Sequence, residues 1–113
     1  MTDYRPDVRD LIWTDFDPTL GREQAGRRPA VVLSPAAFFD NTGFLIVCPI
    51  TSRVRPFPTS VVLPPGLPIA GEALVANLRS LDGLARPVRS IGAKVPEETA
   101  RLIRAKLDAL IAI

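Results

Sequence analysis

Apolar residues in this chain come in short runs, separated by proline, glycine or clustered charge. The first run, over 8–16, has Ile12 and Trp13 side by side, which predicts a strand covered on both faces. Asp17-Pro18 and then Gly21 break it. A second, largely apolar strand is predicted from Arg28 or Pro29 to Ser34. Pro29 suits only its first position or an edge, because proline has no N–H to give a neighbouring strand. Positions 35–41 read as one short helical turn, and Asn41-Thr42-Gly43 as a tight turn after it. The run over 44–51 is apolar almost throughout and predicts a third strand. Pro56 and Pro58 then stiffen a basic loop over 52–58. A fourth strand over 59–63 is closed by Pro64-Pro65-Gly66. Two more are predicted over 72–78 and 85–91, with Asp82-Gly83 at the turn between them.

The last segment changes period. Ala100, Ile103, Leu107, Leu110 and Ile111 recur at spacings of three and four, the signature of one apolar helix face. Pro96 fits a first helical position, and Glu97 and Glu98 complement the positive end of the helix dipole. The pattern predicts one C-terminal helix of about four turns. Six short strands followed by one amphipathic helix predict a mainly β fold, a small barrel-like sheet with the helix packed on it. No repeat or composition shift divides residues 1–113, so a single domain is expected.

Composition narrows the chemistry. The 113 residues include 12 prolines, which suits strands and turns better than a helical bundle. No apolar run approaches the ~20 residues of a membrane span, and Met1 to Pro6 does not read as a signal peptide, so a cytoplasmic protein is expected. Cys48 is the one cysteine, which leaves no internal disulfide and no cysteine metal cluster. Within its apolar run it reads as a buried structural residue. Asp15 and Asp17 form an Asp-x-Asp pair, but no third ligand is evident, and a turn-stabilising role suits them better than a metal.

Charge is unevenly spread. Residues 1–20 carry 2 basic and 5 acidic groups, whereas residues 21–94 carry 9 basic and 4 acidic ones. The middle of the chain suits a polyanion such as RNA, or an acidic protein segment, although solubilising surface arginines would give the same balance. Its densest part is the loop from Gly21 to Pro29, which gathers Arg22, Glu23, Gln24, Arg27 and Arg28 between apolar runs. The chain has no histidine. Acid–base or phosphate chemistry must therefore come from carboxylate, guanidinium, hydroxyl and backbone groups.

The stretch from Asp10 to Pro18 (D-L-I-W-T-D-F-D-P), then Gly21 to Ser34 (G-R-E-Q-A-G-R-R-P-A-V-V-L-S) and Cys48 to Ser52 (C-P-I-T-S), closely resembles the MazF/PemK family of toxin endoribonucleases. The likeness continues through Pro96-Glu97-Glu98 into the terminal helix. It implies an SH3-like barrel with added helices, a homodimer, and cleavage of single-stranded messenger RNA at short motifs. By the same resemblance no metal or cofactor is needed, and the products carry 2′,3′-cyclic phosphate and 5′-hydroxyl ends. A MazE-type antitoxin is the implied inhibitor, holding the toxin through a disordered, often acidic tail.

The resemblance makes Arg28 and Thr51 the catalytic pair, with Glu23 as a third candidate. Arg28 suits transition-state stabilisation, since a guanidinium grips two phosphate oxygens and keeps its charge. Thr51, taken alone, would simply end a strand; the family pattern gives its hydroxyl a phosphate to hold. Glu23 is either a proton-transfer group or a residue that organises the surrounding arginines, which pull its pKa down.

Candidate RNA contacts are Gln24, Arg27, Arg53, Arg55, Asn77, Arg79 and Arg86, with Arg89 extending the track and Phe57 as a stacking residue. Phe57 in the core and a solvated 52–58 loop is the other reading of that stretch. Two departures matter. Arg27 stands where some relatives carry histidine, and Val75 and Asn77 replace an Arg-x-Asp pair used by some PemK-like members. Two other functions fit a related barrel: a CcdB-like gyrase poison, and a non-catalytic RNA-binding protein.

Overall fold

The computed structural model describes residues 4–16 and 27–113. Among these, seven strands form one antiparallel sheet. The elements are β1 (Asp10–Asp15), β2 (Arg27–Val32), α1 (Ala36–Thr42), β3 (Phe44–Thr51), β4 (Ser60–Val62), β5 (Glu72–Leu74), β6 (Arg79–Asp82), β7 (Val88–Lys94) and α2 (Glu97–Leu110). The spatial order is β4-β5-β3-β2-β1-β7, and β6 pairs with β3 as well. β3 is the hub. Phe44 to Val47 pair with β6, and Ile50 and Thr51 pair with β5, so one strand exchanges partners along its length.

The sheet is covered on both faces, which explains why its strands read as nearly continuous apolar runs. Neighbouring residues alternate between two cores. Leu11, Val31, Cys48, Ile50, Val75 and Val95 pack in one, together with Ile103 from α2. Ile12, Phe16, Ala30, Val32, Leu45 and Leu81 pack in the other. Each large aliphatic side chain buried this way contributes about 1.5–3 kcal/mol. Cys48 is fully buried, and burial pushes its thiol up to about 12, as expected of an inert structural cysteine.

α2 is held by a short stretch of its apolar face. Thr99 and Ile103 are buried and Ala100 and Leu107 half-buried, while Leu110 and Ile111 lie past the core and are exposed. Pro96 sits one position earlier than expected. Its extended ψ of 155° makes it the N-cap, and its carbonyl accepts from the Ala100 N–H at 3.0 Å. Among the described residues no helix is long and apolar enough to cross a membrane.

The largest correction concerns the strand expected over 72–78. It ends at Leu74, and Val75–Asn77 form a 3-10 turn that carries the chain from β5 to β6 along the same edge of β3. β6, over Arg79–Asp82, adds a seventh strand to the six expected. The strand expected over 85–91 starts after Pro87 instead and runs to Lys94.

Candidate active site

Proline chemistry opens the site. Ala30 of β2 pairs with Pro49 of β3, and there the ladder between these two strands ends. Pro29 has no N–H to extend it. From Arg27 to Pro29, β2 pairs with β1 alone, so Pro29 lies on a local edge, as its residue type demands. Carried two residues past Ala30, the same register sets Arg28 across from Thr51. Between the parted strand ends lies a cleft of about 720 Å³, lined by Trp13, Arg28, Pro29, Thr51, Arg53 and Ile69 among others.

Arg28 and Thr51 are both half-buried. The Thr51 Oγ1 accepts a hydrogen bond from the Arg53 N–H at 3.2 Å, which leaves its own O–H available to donate. Arg27 points the other way. Its guanidinium lies 5.3 Å from the centre of the Trp13 ring, a cation–π contact across the β1–β2 pair. Trp13 thus forms a wall shared by the main cleft and a smaller one of about 230 Å³, which Asp15, Arg27 and Arg89 also line.

The rim is the loop from Thr51 to Ser60. Arg53, Arg55 and Phe57 are exposed, and Phe57 at 54% is clearly outside the core. Glu72 holds this loop from beneath. Its side chain is buried, with one carboxylate oxygen accepting from the Arg55 N–H at 2.8 Å. The other accepts from the Phe57 N–H at 3.2 Å and from the Ser60 hydroxyl in a very short contact. The Ser60 hydroxyl, followed by the Arg55 N–H, holds the carboxyl below its usual value near 4.5 against the opposing effect of burial.

The structure brings Arg28, Thr51 and Arg53 into one cleft and sets Arg55 on its rim loop. Other candidates lie elsewhere. Arg79 donates to the Phe16 carbonyl at 3.4 Å and lies over the Phe16 ring at 5.4 Å. Arg86 donates to the Asp15 carbonyl at 2.7 Å. Both clip the end of β1, just before the polar loop. Arg86 and Arg89 also line a separate cavity of about 790 Å³ beside Tyr4 and Leu84. Asn77 is exposed on the 3-10 turn and not on a strand. Glu23 and Gln24, like Asp17, Gly21 and Gly26, lie outside the described residues.

Trp13 and Glu72 contribute to the site in ways that residue type does not show. As sequence, Trp13 shows strand cover and a place in the family motif, and Glu72 only the start of a strand. The signal for Glu72 was a lone carboxylate opening an otherwise apolar stretch, Glu72-Ala73-Leu74-Val75.

A family model described as "PemK-like, MazF-like toxin of type II toxin-antitoxin system" matches residues 7–111. The endoribonuclease toxin MazF of Escherichia coli (strain K12) is 46% identical over 108 residues, which cover 96% of each chain. The crystal structure of MazF from Deinococcus radiodurans matches with a TM-score of 0.90 at 42% identity, over 98% of this chain and 100% of that one. A MazE–MazF crystal structure from the same organism matches with a TM-score of 0.85 at 39% identity, over 98% of this chain and 99% of that one.

Proposed function

We propose, since this chain belongs to the PemK-like, MazF-like toxin family of type II toxin–antitoxin systems, that it cuts single-stranded RNA in the cleft between Arg28 and Thr51. It is an endoribonuclease toxin. The observation that carries the location is the meeting of one guanidinium and one hydroxyl, from two neighbouring strands, in a single open cleft.

The chemistry suits that pair. The RNA 2′-oxygen attacks the adjacent phosphorus; a 2′-O–P bond forms, the P–O5′ bond breaks, and the 5′-oxygen takes up a proton. The products are a 2′,3′-cyclic phosphate and a 5′-hydroxyl. The nucleophile belongs to the substrate, so the reaction needs no metal or cofactor. Arg28 stabilises the charge that develops on the non-bridging oxygens, and Thr51 donates to one of them. Glu23 is the candidate for moving the 2′ proton. Arg53 and Arg55 neutralise flanking phosphates, and exposed Phe57 offers a base a stacking surface.

A MazE-type antitoxin is the partner, and the exposed arginines around the cleft suit an acidic tail. The working form is a cytoplasmic homodimer of single-domain chains. The direct test is incubation with a long single-stranded RNA in EDTA, followed by mapping of the fragment 5′ ends. Cleavage at a recurring short motif with 5′-hydroxyl ends is expected; intact RNA would sink the proposal.

A further inference from the structure

We propose that Glu72 is the positioning residue of the substrate-binding loop: its carboxylate sets the path of residues 52–59, and so the direction from which Arg53, Arg55 and Phe57 meet RNA. The proposal rests on the reading of that loop as an RNA contact.

Glu72 is 1% exposed. Among the described residues its partners are two backbone N–H groups and one hydroxyl, with no cation in ion-pair range. A buried carboxylate without a counter-charge is costly, and Glu72 opens the otherwise apolar strand β5, whose Ala73 lies in the core. An apolar residue would serve β5 as well. What this carboxylate does that an apolar residue would not is accept from the main chain of the loop.

The geometry explains the effect. Glu72 pairs directly with Thr51, so the anchor stands beside the point where the loop leaves β3. The loop then passes the carboxylate at Arg55 and Phe57 and returns at Ser60, where β4 begins. The two N–H groups held by the carboxylate flank Pro56, so Glu72 fixes the main chain on either side of it, at the two residues that carry the Arg55 and Phe57 side chains. Two further bonds hold the ends of the loop: the Thr51 Oγ1 accepts from the Arg53 N–H, and the Lys106 Nζ donates to the Pro58 carbonyl at 2.6 Å.

Glutamine is the informative substitution. Its amide keeps one acceptor oxygen and replaces the other with an NH₂ donor. In either orientation a backbone N–H of the loop, at Arg55 or at Phe57, faces a donor and loses its bond. Ser60→Ala removes one partner and leaves both backbone bonds.

The experiment uses the full chain with single-stranded RNA, measuring kcat, KM and the mapped cleavage motif. Amide hydrogen exchange at Arg55 and Phe57 serves as an activity-independent readout. For Glu72→Gln, folded by circular dichroism, KM should rise about tenfold and kcat change less than about threefold. The cleavage motif should broaden, and the Arg55 or Phe57 amide should lose protection. Ser60→Ala should move the same quantities in the same direction by about two- to threefold. Unchanged KM and motif in a folded Glu72→Gln protein would overturn the proposal, as would a fall in kcat alone. Equal amide exchange in the two proteins would overturn it as well, even were the wild-type protein inactive on RNA. In that case the nuclease reading fails separately, and the exchange data alone decide whether Glu72 sets the loop.

Discussion

Arg28 stands on a strand whose register is set by five paired positions with β1, while Arg53 and Arg55 stand on a loop with no strand partner. The floor of the cleft is built from ladder ends, whereas the rim is held by a few side-chain bonds, three of them to Glu72 of β5. A ladder spreads its restraint over many bonds, so no one residue moves Arg28 far. Among the rim's few restraints Glu72 makes the most bonds, so one substitution there should redirect the exposed side chains of Arg55 and Phe57. Floor and rim also differ in what they offer a phosphate. In the proposed mechanism Arg28 and Thr51 would hold the reacting group from half-buried positions, whereas Arg53 and Arg55 would meet its neighbours from exposed ones. On the proposed function, this division would give chemistry to the floor, and affinity and base choice to the rim.

The comparison breaks most visibly if floor substitutions behave like rim ones. Arg28→Ala and Thr51→Ala should each lower kcat by about 100-fold or more, the scale of losing one preorganised donor. Single-turnover cleavage at saturating RNA measures this, and near-normal turnover by a folded Arg28→Ala protein would remove that residue from the mechanism.

Gly71 tests the joint between floor and rim. Its φ is +151°, and a Cβ there would lie 2.3 Å from the Thr51 carbonyl oxygen. Gly71→Ala must therefore displace Thr51 or strain the backbone, at a cost of about 1–3 kcal/mol. Thermal denaturation should show that loss together with a fall in kcat. A normal melting temperature with normal kcat would mean that the end of β3 yields freely.

The smallest effects belong to the rim. Arg53→Ala and Arg55→Ala should each raise KM about two- to fivefold and leave kcat nearly unchanged. Each should also flatten the dependence of log affinity on log salt by about 0.7, the value for one phosphate contact on a single strand. A fluorescence titration with a short RNA over a series of salt concentrations measures the slope. An unchanged slope for both variants would take the loop off the RNA.

Much of the fold could be read from the chain because local rules and tertiary demands agreed. The apolar run over 44–51 is the strand β3 to the residue, and the period of Ala100, Ile103 and Leu107 marks the face of α2 that meets the core. The break after Leu74 could not be read this way. Apolar residues continue through Val75 and Leu78, and nothing local demands a turn there. The turn belongs to the pairing with β3, whose register shifts by three residues between β5 and β6, and Val75–Asn77 take up those residues.

The site divides along the same line. Residue types alone determined that a chain without histidine must work with guanidinium, carboxylate and hydroxyl groups. The order of residues carried the family motif, and Pro29 marked where a ladder must stop. Only the folded sheet could decide that Arg28 and Thr51 line one cleft, that Arg79 and Arg86 clip the end of β1, and that Glu72 grips a loop 15–17 residues away. Local patterning follows from backbone geometry and solvent, which act on neighbours in sequence. Hydrogen bonds between distant residues depend on strand register, and register is settled when the whole sheet packs.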